Sequence, residues 1–212
     1  MPYLFSRSAL LATGNAPAAM AWAVKMTEKV NEIAETTVSL WSTVMSPGLG
    51  RLTWTTVVED LAVLTATDEK LVMDAGYHDL AVQGAEFDSG NGIDDGLVRY
   101  VHADRDGVDS AAYASVVRAV LSPGSSMQGI ELGVEIAQRA KAITNRSTSF
   151  GVSETGTYGE VGWIALYDSI DQVQAASEAL AADASFGELL DQKAATAYLP
   201  GHSTQTLSRK IA

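Results

Sequence analysis

GRLTWTTVVEDLAVLTATDEKLVMDAGYHDLAVQ, residues 50–83, returns in altered form as GEVGWIALYDSIDQVQAASEALAADASFGELLDQ, residues 159–192. Displacing the chain by 109 residues lays Gly50 on Gly159, Trp54 on Trp163, Ala66 on Ala175, Glu69 on Glu178 and Leu71 on Leu180. Asp74, Ala75, Leu80 and Gln83 likewise fall on Asp183, Ala184, Leu189 and Gln192. Tyr77/Phe186, Leu61/Ile170 and Glu59/Asp168 are conservative pairs. About a quarter of the window is identical, and tryptophan is rare here, so its repetition is the match least open to chance. Self-similarity of this kind marks a duplicated structural unit.

The likeness continues outward with a slip of one residue. At a displacement of 110, Tyr3 meets Tyr113, Ala9 meets Ala119, Leu11 meets Leu121 and Gly14 meets Gly124. Leu97, Arg99 and Val101 meet Leu207, Arg209 and Ile211 in the same way. The expected halves are 1–104 and 111–212, joined by a charged, glycine-containing linker over 105–110.

Each half reads as strand, helix, strand, strand, helix, strand. The first strands are expected over 4–11 and 115–121. Asn15 with Pro17, and Ser125 or Ser126, are the candidate starts of the first helices. Trp22, Met26, Val30 and Ile33 form one apolar stripe, matched at the same spacing by Leu132, Ile136, Ala140 and Ile143, so the same face should be buried in each copy. Glycine turns connect β-rich runs over 37–45 and 51–58, and over 148–153 and 160–167. The second helices are expected to start near Ala66 and Ala175, with interruptions around Gly76 and Ser185. Final strands fall over 96–102 and 204–211.

This order predicts an α+β fold of two tandem ferredoxin-like βαββαβ repeats. Right-handed crossovers put both helices on one face of each four-stranded antiparallel sheet. The other face of each sheet would be a bare apolar patch. The expected remedy is to pack the two sheets face to face as an intramolecular α+β barrel with the helices outside.

Composition removes several classes of function. The net charge is −12, from 14 basic and 26 acidic residues, and no basic cluster offsets it. Such a surface repels phosphate backbones and anionic lipid, so neither nucleic acid nor membrane is an expected partner. The absence of cysteine rules out disulfides, thiolate zinc sites and cysteine nucleophiles, and fits a reducing cytoplasm. His78, His102 and His202 show no metal-ligand spacing, so no metal is expected. No apolar run reaches the about 18–20 residues that a spanning helix needs. Arg7 with the apolar residues after it imitates a signal peptide, but this segment has its counterpart inside the second half and belongs to the fold. Serine-hydrolase, P-loop and dinucleotide-binding motifs are missing.

The strand ending VRAVLSPG, residues 117–124, leads into an amphipathic helix, and the Trp-bearing strand runs into VEDL, residues 58–61. With DAGYHDL, residues 74–80, these stretches resemble the dimeric α+β barrel superfamily. That group includes antibiotic-biosynthesis-type monooxygenases, EthD-like and NIPSNAP-like proteins, chlorite dismutases and dye-decolorising peroxidases. The resemblance implies a cleft between sheet and helices, and in the cofactor-free branch oxygenation of polycyclic phenols. Haem branches need a helix histidine, and the peroxidases a Gly-x-x-Asp-Gly motif. GIDDG, residues 92–96, has those letters but reads as a loop turn, and no cofactor is expected.

The candidates for chemistry lie mostly in the first half. Trp41 and Trp22 add aromatic surface that the second half lacks, while Trp54 repeats and equally suits a core position. His78 beside Asp79 faces Gly187 and Glu188 in the other copy; it is the only candidate catalytic residue, with a helix-terminal role as its alternative. Arg99, matched by Arg209, would anchor an anionic or carbonyl-bearing ligand, or pair structurally with Glu69 or Asp74. Trp41, Trp54, His78 and Arg99 are thus the candidate ligand-binding residues. The expected function is small-molecule binding, with cofactor-independent oxygenation or isomerisation of an aromatic or polyketide-like compound. A non-catalytic scaffold or assembly protein, compatible with a homo-oligomer, is the alternative from another class; a haem-binding member of the superfamily is a lesser one.

Overall fold

The structure, a computed structural model, describes residues 1–212 except for the side chains of Thr13 and Asn91. Strand β1 (Tyr3–Leu11) leads into helix α1 (Ala16–Ile33), whose first turn holds Pro17, where a missing N–H costs nothing. Strands β2 (Ser39–Val44) and β3 (Arg51–Val58) form a hairpin whose turn uses Gly48 and Gly50 at φ of 84° and 91°, values that favour glycine. Helices α2 (Leu61–Met73) and α3 (Ala75–Gly84) precede strand β4 (Asp88–His102).

The second copy repeats this order. Strand β5 (Tyr113–Val120), helix α4 (Ser126–Thr144) and strands β6 (Thr148–Ser153) and β7 (Glu160–Tyr167) come first. Helices α5 (Ile170–Ala182) and α6 (Ala184–Leu189) and strand β8 (Thr204–Lys210) complete it. Tyr3 and Tyr113 each open a first strand, and Trp54 and Trp163 each lie on a third, as the self-comparison requires.

Local chemistry moves some boundaries. Helices α2 and α5 begin at Leu61 and Ile170, before the expected Ala66 and Ala175, because Asp60 and Ser169 cap them: the Asp60 carboxylate accepts the Ala62 N–H at 2.9 Å and Ser169 Oγ accepts the Gln172 N–H at 3.3 Å. The interruptions fall at Asp74 and Asp183 rather than at Gly76 and Ser185. Each of these aspartates accepts the N–H three residues on, from Tyr77 and Phe186, at 2.8 Å, so a new helix starts there. Asn15 and Ser125 stand at the helix starts but make no side-chain capping bond, since neither has the extended backbone that a cap requires. The segment Gly92 to Gly96, expected as a turn, is part of β4.

The strands are hydrogen-bonded in the order β1-β3-β2-β8-β5-β7-β6-β4, which closes into an eight-stranded antiparallel barrel. Two compact units are distinguished, Met1–Leu97 with Arg209–Ala212, and Val98–Ser208. In the first, the chain end lies along β2, with the Leu40 N–H donating to Ala212 O at 2.7 Å and the Ile211 N–H donating to Leu40 O at 2.8 Å. In the second, the end of β4 runs beside β6 with Val98 opposite Ser153. Among the described residues no helix is long and apolar enough to cross a membrane.

The two units fill their sheet–helix layers differently. In the second, Leu132, Ile136 and Ala140 of α4 are buried with Phe150, Trp163 and Tyr198 in one continuous core. A Cβ at Gly133 would stand 2.1 Å from Phe150 Cζ, so this ring depends on a bare helix backbone. In the first unit the buried cluster is smaller, Ala23 with Leu40 and Leu52. Leu40 sits opposite Trp54 just as Phe150 sits opposite Trp163, and Ala23 aligns with Gly133. The helix stripe expected to be buried in both copies is more deeply buried in the second, where Leu132, Ile136 and Ala140 are buried and Ile143 is half-buried. In the first only Met26 is buried, and Trp22, Val30 and Ile33 are half-buried.

Gly133→Ala is therefore expected to destabilise the protein by about 1–3 kcal/mol through overpacking. Adding Phe150→Leu recreates the Ala23/Leu40 pair and should recover part of that loss. Denaturant unfolding of the single and double variants checks this, and strictly additive effects would contradict it.

Candidate functional site

Alternation along β1 sends Phe5, Arg7 and Ala9 to one face, and register places Arg7 opposite Trp54 and Phe5 opposite Thr56. These side chains form one wall of a cleft of about 490 Å³ lying within the first unit. Trp22, Met26 and Val30 of α1 face it, with Leu64, Asp68 and Leu71 of α2 and Tyr77 and Ala81 of α3. Ile93 and Asp95 of β4 complete the lining. The volume falls within the about 300–1,000 Å³ usual for small-molecule pockets.

Hydrogen bonds fix the aromatic walls and leave ring surface for contact. The Trp22 indole N–H donates to Leu80 O at 2.7 Å, and its ring stands edge-on to Trp54 with centroids 6.1 Å apart. A Cβ at Gly84 would lie 2.4 Å from Trp22 Cζ2, so the close approach of α3 needs glycine there. Trp54 Nε1–H donates to Thr27 Oγ1 at 2.9 Å, and that hydroxyl donates to Ala23 O at 2.8 Å. Tyr77 is held by the Asp74 cap, which also pairs with Lys29 at 3.2 Å.

One ion pair dominates the polar part of the cleft. Arg7 Nε donates to Asp95 Oδ1 at 2.8 Å and Nη2 donates to Oδ2 at 2.7 Å, a bidentate fork. The guanidinium lies 5.8 Å from the Phe5 ring centroid. The hydrogen bond to Asp95 outweighs partial burial and raises the Arg7 pKa above its ordinary value, with the charges of Asp95 and Asp68 contributing in the same direction.

Of the residues singled out in the sequence, Trp54 lines this cleft. Trp41 lies beside Leu40 on β2, donates from Nε1 to Thr55 Oγ1 at 2.9 Å, and has the Lys210 ammonium 6.0 Å from its ring. His78 donates from Nε2 to Val72 O at 2.6 Å at an exposed position, edge-on to Tyr77. Arg99 pairs with Glu154 in the second unit. Within the first unit, neither Trp41 nor His78 lines the cleft. Arg7 and Asp95 were not among the candidates. Their signal was present, since a displacement of 110 lays Arg7 on Val117, a charge where the other copy has an apolar residue. Among the described residues no group of His, Asp and Glu side chains is arranged to hold a metal ion.

This fold is that of the dimeric α+β barrel proteins. It matches a candidate monooxygenase from Fusobacterium nucleatum with a TM-score of 0.70 at 8% identity, covering 100% of this chain and 93% of that one. An anthrone oxidase-like protein matches with a TM-score of 0.67 at 12% identity, over 100% and 92% of the two chains. A variant of chlorite dismutase from Candidatus Nitrospira defluvii matches with a TM-score of 0.54 at 11% identity, over 100% and 91%. At these identities the likeness is one of fold. No protein-family model matches the sequence, and no curated protein does.

A haem-binding protein from Thermus thermophilus shares the fold, with a TM-score of 0.54 at 10% identity over 100% of this chain and 91% of that one. Among the described residues, none of His78, His102 and His202 lines the cleft. In the second unit the layer between α4 and the sheet is filled by Phe150, Trp163 and Tyr198. A histidine-ligated haem does not fit either place.

Asp74 supplies a pH signature for the wall that carries Tyr77. The Tyr77 N–H bond, followed by the Lys29 ammonium, holds the Asp74 carboxyl below the usual range against its own desolvation. Its stabilising effect is fully present above the unfolded value of about 3.9 and is lost as pH falls through the lower folded value. Asp74→Ala should lower Tm by about 2–4 °C at neutral pH. That gap should shrink below pH of about 4, which thermal unfolding across pH measures.

Proposed function

We propose that the cleft of the first unit binds a flat, fused-ring aromatic compound of the polyketide type and oxygenates it without a cofactor. One observation carries the reading. The same βαββαβ unit occurs twice, and where one copy packs its sheet–helix layer solid, the other keeps an aromatic-walled cleft with a single ion pair in it. Stacked rings would rest on Trp22, Trp54 and Tyr77, which supply apolar area with fixed geometry. The folds shared with a candidate monooxygenase and an anthrone oxidase-like protein support the same class.

In the reaction a ring methylene flanked by a carbonyl system loses a proton to a cleft carboxylate, Asp68 or Asp95. The enolate oxygen that develops is held by Arg7, a preformed donor aimed at new negative charge. Dioxygen then takes electrons from the enolate and adds to the same carbon. One oxygen atom stays as the new carbonyl and the other leaves as water, so CH2 and O2 give C=O and H2O.

Anthrone is the probe. Oxygen uptake should match anthraquinone formation mole for mole, with saturation in anthrone and a rate above the spontaneous oxidation. Arg7→Met should lower kcat/KM at least about tenfold, a loss of about 1.4 kcal/mol of transition-state stabilisation. Ala81→Trp, at an exposed helical position on the cleft wall, should weaken anthrone binding by a similar factor while Tm is held. Anthrone that neither binds nor turns over, or binds equally well to the Ala81→Trp protein, would sink the proposal.

A further inference from the structure

From the Arg7–Asp95–Asp68 arrangement we infer that the cleft selects neutral keto-phenols and rejects carboxylated or phosphorylated ligands of the same shape. The inference rests on the reading of the cleft as an aromatic-binding site and specifies its ligand. An arginine in an apolar pocket ordinarily marks a site for a carboxylate or phosphate. Here the fork is already occupied: Nε and Nη2 both donate to Asp95, at 2.8 and 2.7 Å. The charged residues lining the cleft are Arg7, Asp68 and Asp95, which leaves a net charge of −1. An incoming carboxylate would meet that negative balance and could reach the guanidinium fork only by displacing Asp95. Asp95 would then stand unpaired beside a second anion, the kind of repulsive element that builds specificity.

A neutral ligand escapes this penalty. Arg7 Nη1 is not used in the fork to Asp95 and can donate to a ketone oxygen without disturbing it. The Asp68 and Asp95 carboxylates have lone pairs to accept a phenolic O–H. Aromatic surface on Trp22 and Trp54 takes the rings. The second copy has Val117 where the first has Arg7, so this selectivity belongs to the first unit alone.

The experiment compares two ligands of like shape by calorimetric titration of the full chain, a dihydroxyanthraquinone held below its phenolic pKa and an anthraquinone carboxylate. The neutral compound should bind at least about tenfold more tightly, a difference of about 1.4 kcal/mol. Asp95→Asn frees the Arg7 fork from its anion and should narrow that gap at least about threefold by strengthening carboxylate binding; Asp68→Asn, removing the other negative charge, should act in the same direction. Circular dichroism and Tm confirm that each variant folds. Equal binding of both compounds, tighter binding of the carboxylate, or a gap unmoved in both variants would overturn the inference and leave the cleft reading standing. Binding of neither compound would overturn both.

Discussion

Phe150 reaches the backbone of α4 because position 133 carries no side chain; a Cβ there would lie 2.1 Å from its Cζ. The ring then packs on Trp163 with centroids 5.1 Å apart, and Trp163 on Tyr198 at 5.4 Å. Burial pushes the Tyr198 phenol well above its ordinary pKa, while its O–H donates to Gly129 O at 2.6 Å, so the hydroxyl in this aromatic stack is satisfied. Once these three rings occupy the layer, nothing of ligand size can enter. In the first unit Ala23 and Leu40 stand at the matching places, and neither a ring nor its notch is present. Ala23 and Leu40 are themselves buried and stand outside the cleft lining, so the cleft opens beside them, where Trp54 and the α1 side chains Trp22, Met26 and Val30 face it.

An apolar cleft that size invites collapse unless its walls are held from behind. The holding is done by hydrogen bonds outside the cavity: Trp22 to the α3 carbonyl of Leu80, and Tyr77 through the Asp74 cap and Lys29. Arg7 and Asp95 fasten β1 to β4 at the cleft with a bidentate charged fork whose two side chains remain partly open to solvent. The same contacts that keep the cleft open also set its electrostatics, so rigidity and selectivity share residues.

Much of this fold was legible in the sequence because duplication supplies two readings of each element. Strands over 51–58, 148–153 and 160–167 fall where the structure has them, since period-two patterning and glycine turns agree in both copies. The second helices start earlier than the expected Ala66 and Ala175, while their interruptions fall close to where the pattern puts them, around Gly76 and Ser185. Gly76 and Ser185 looked like breakers, but Asp74 and Asp183, identical in the repeat, end one helix and cap the next. At the site, Trp54 could be found from its pattern but not told apart from a core residue, because its repeat partner Trp163 is one. Trp41, His78 and Arg99 were selected by type and asymmetry, and type says nothing of which face a side chain takes. Arg7 reads as part of the fold, since its segment has a counterpart in the second half, but the pattern does not say which face it takes, and Asp95 reads as part of a turn. The strand register of Arg7 opposite Trp54 and the fork from Arg7 to Asp95 show that both belong to one wall.

The two repeated tryptophans show how one residue can serve as core in one copy and as wall in the other. A buried indole N–H needs an acceptor. In the second unit position 137 is alanine and offers none, so Trp163 donates to Gly133 O at 2.8 Å on the same bare stretch of helix that receives Phe150. In the first unit the residue aligned with Ala137 is Thr27, whose hydroxyl accepts from Trp54 and donates to Ala23 O. With its N–H satisfied by a side chain, Trp54 has no need to approach the helix backbone, and its ring is left on the cleft. A hydroxyl gained at one helical position and a glycine lost at another, four residues apart on one face, thus change what the repeated indole bonds to while both tryptophans keep their place on the third strand of each copy.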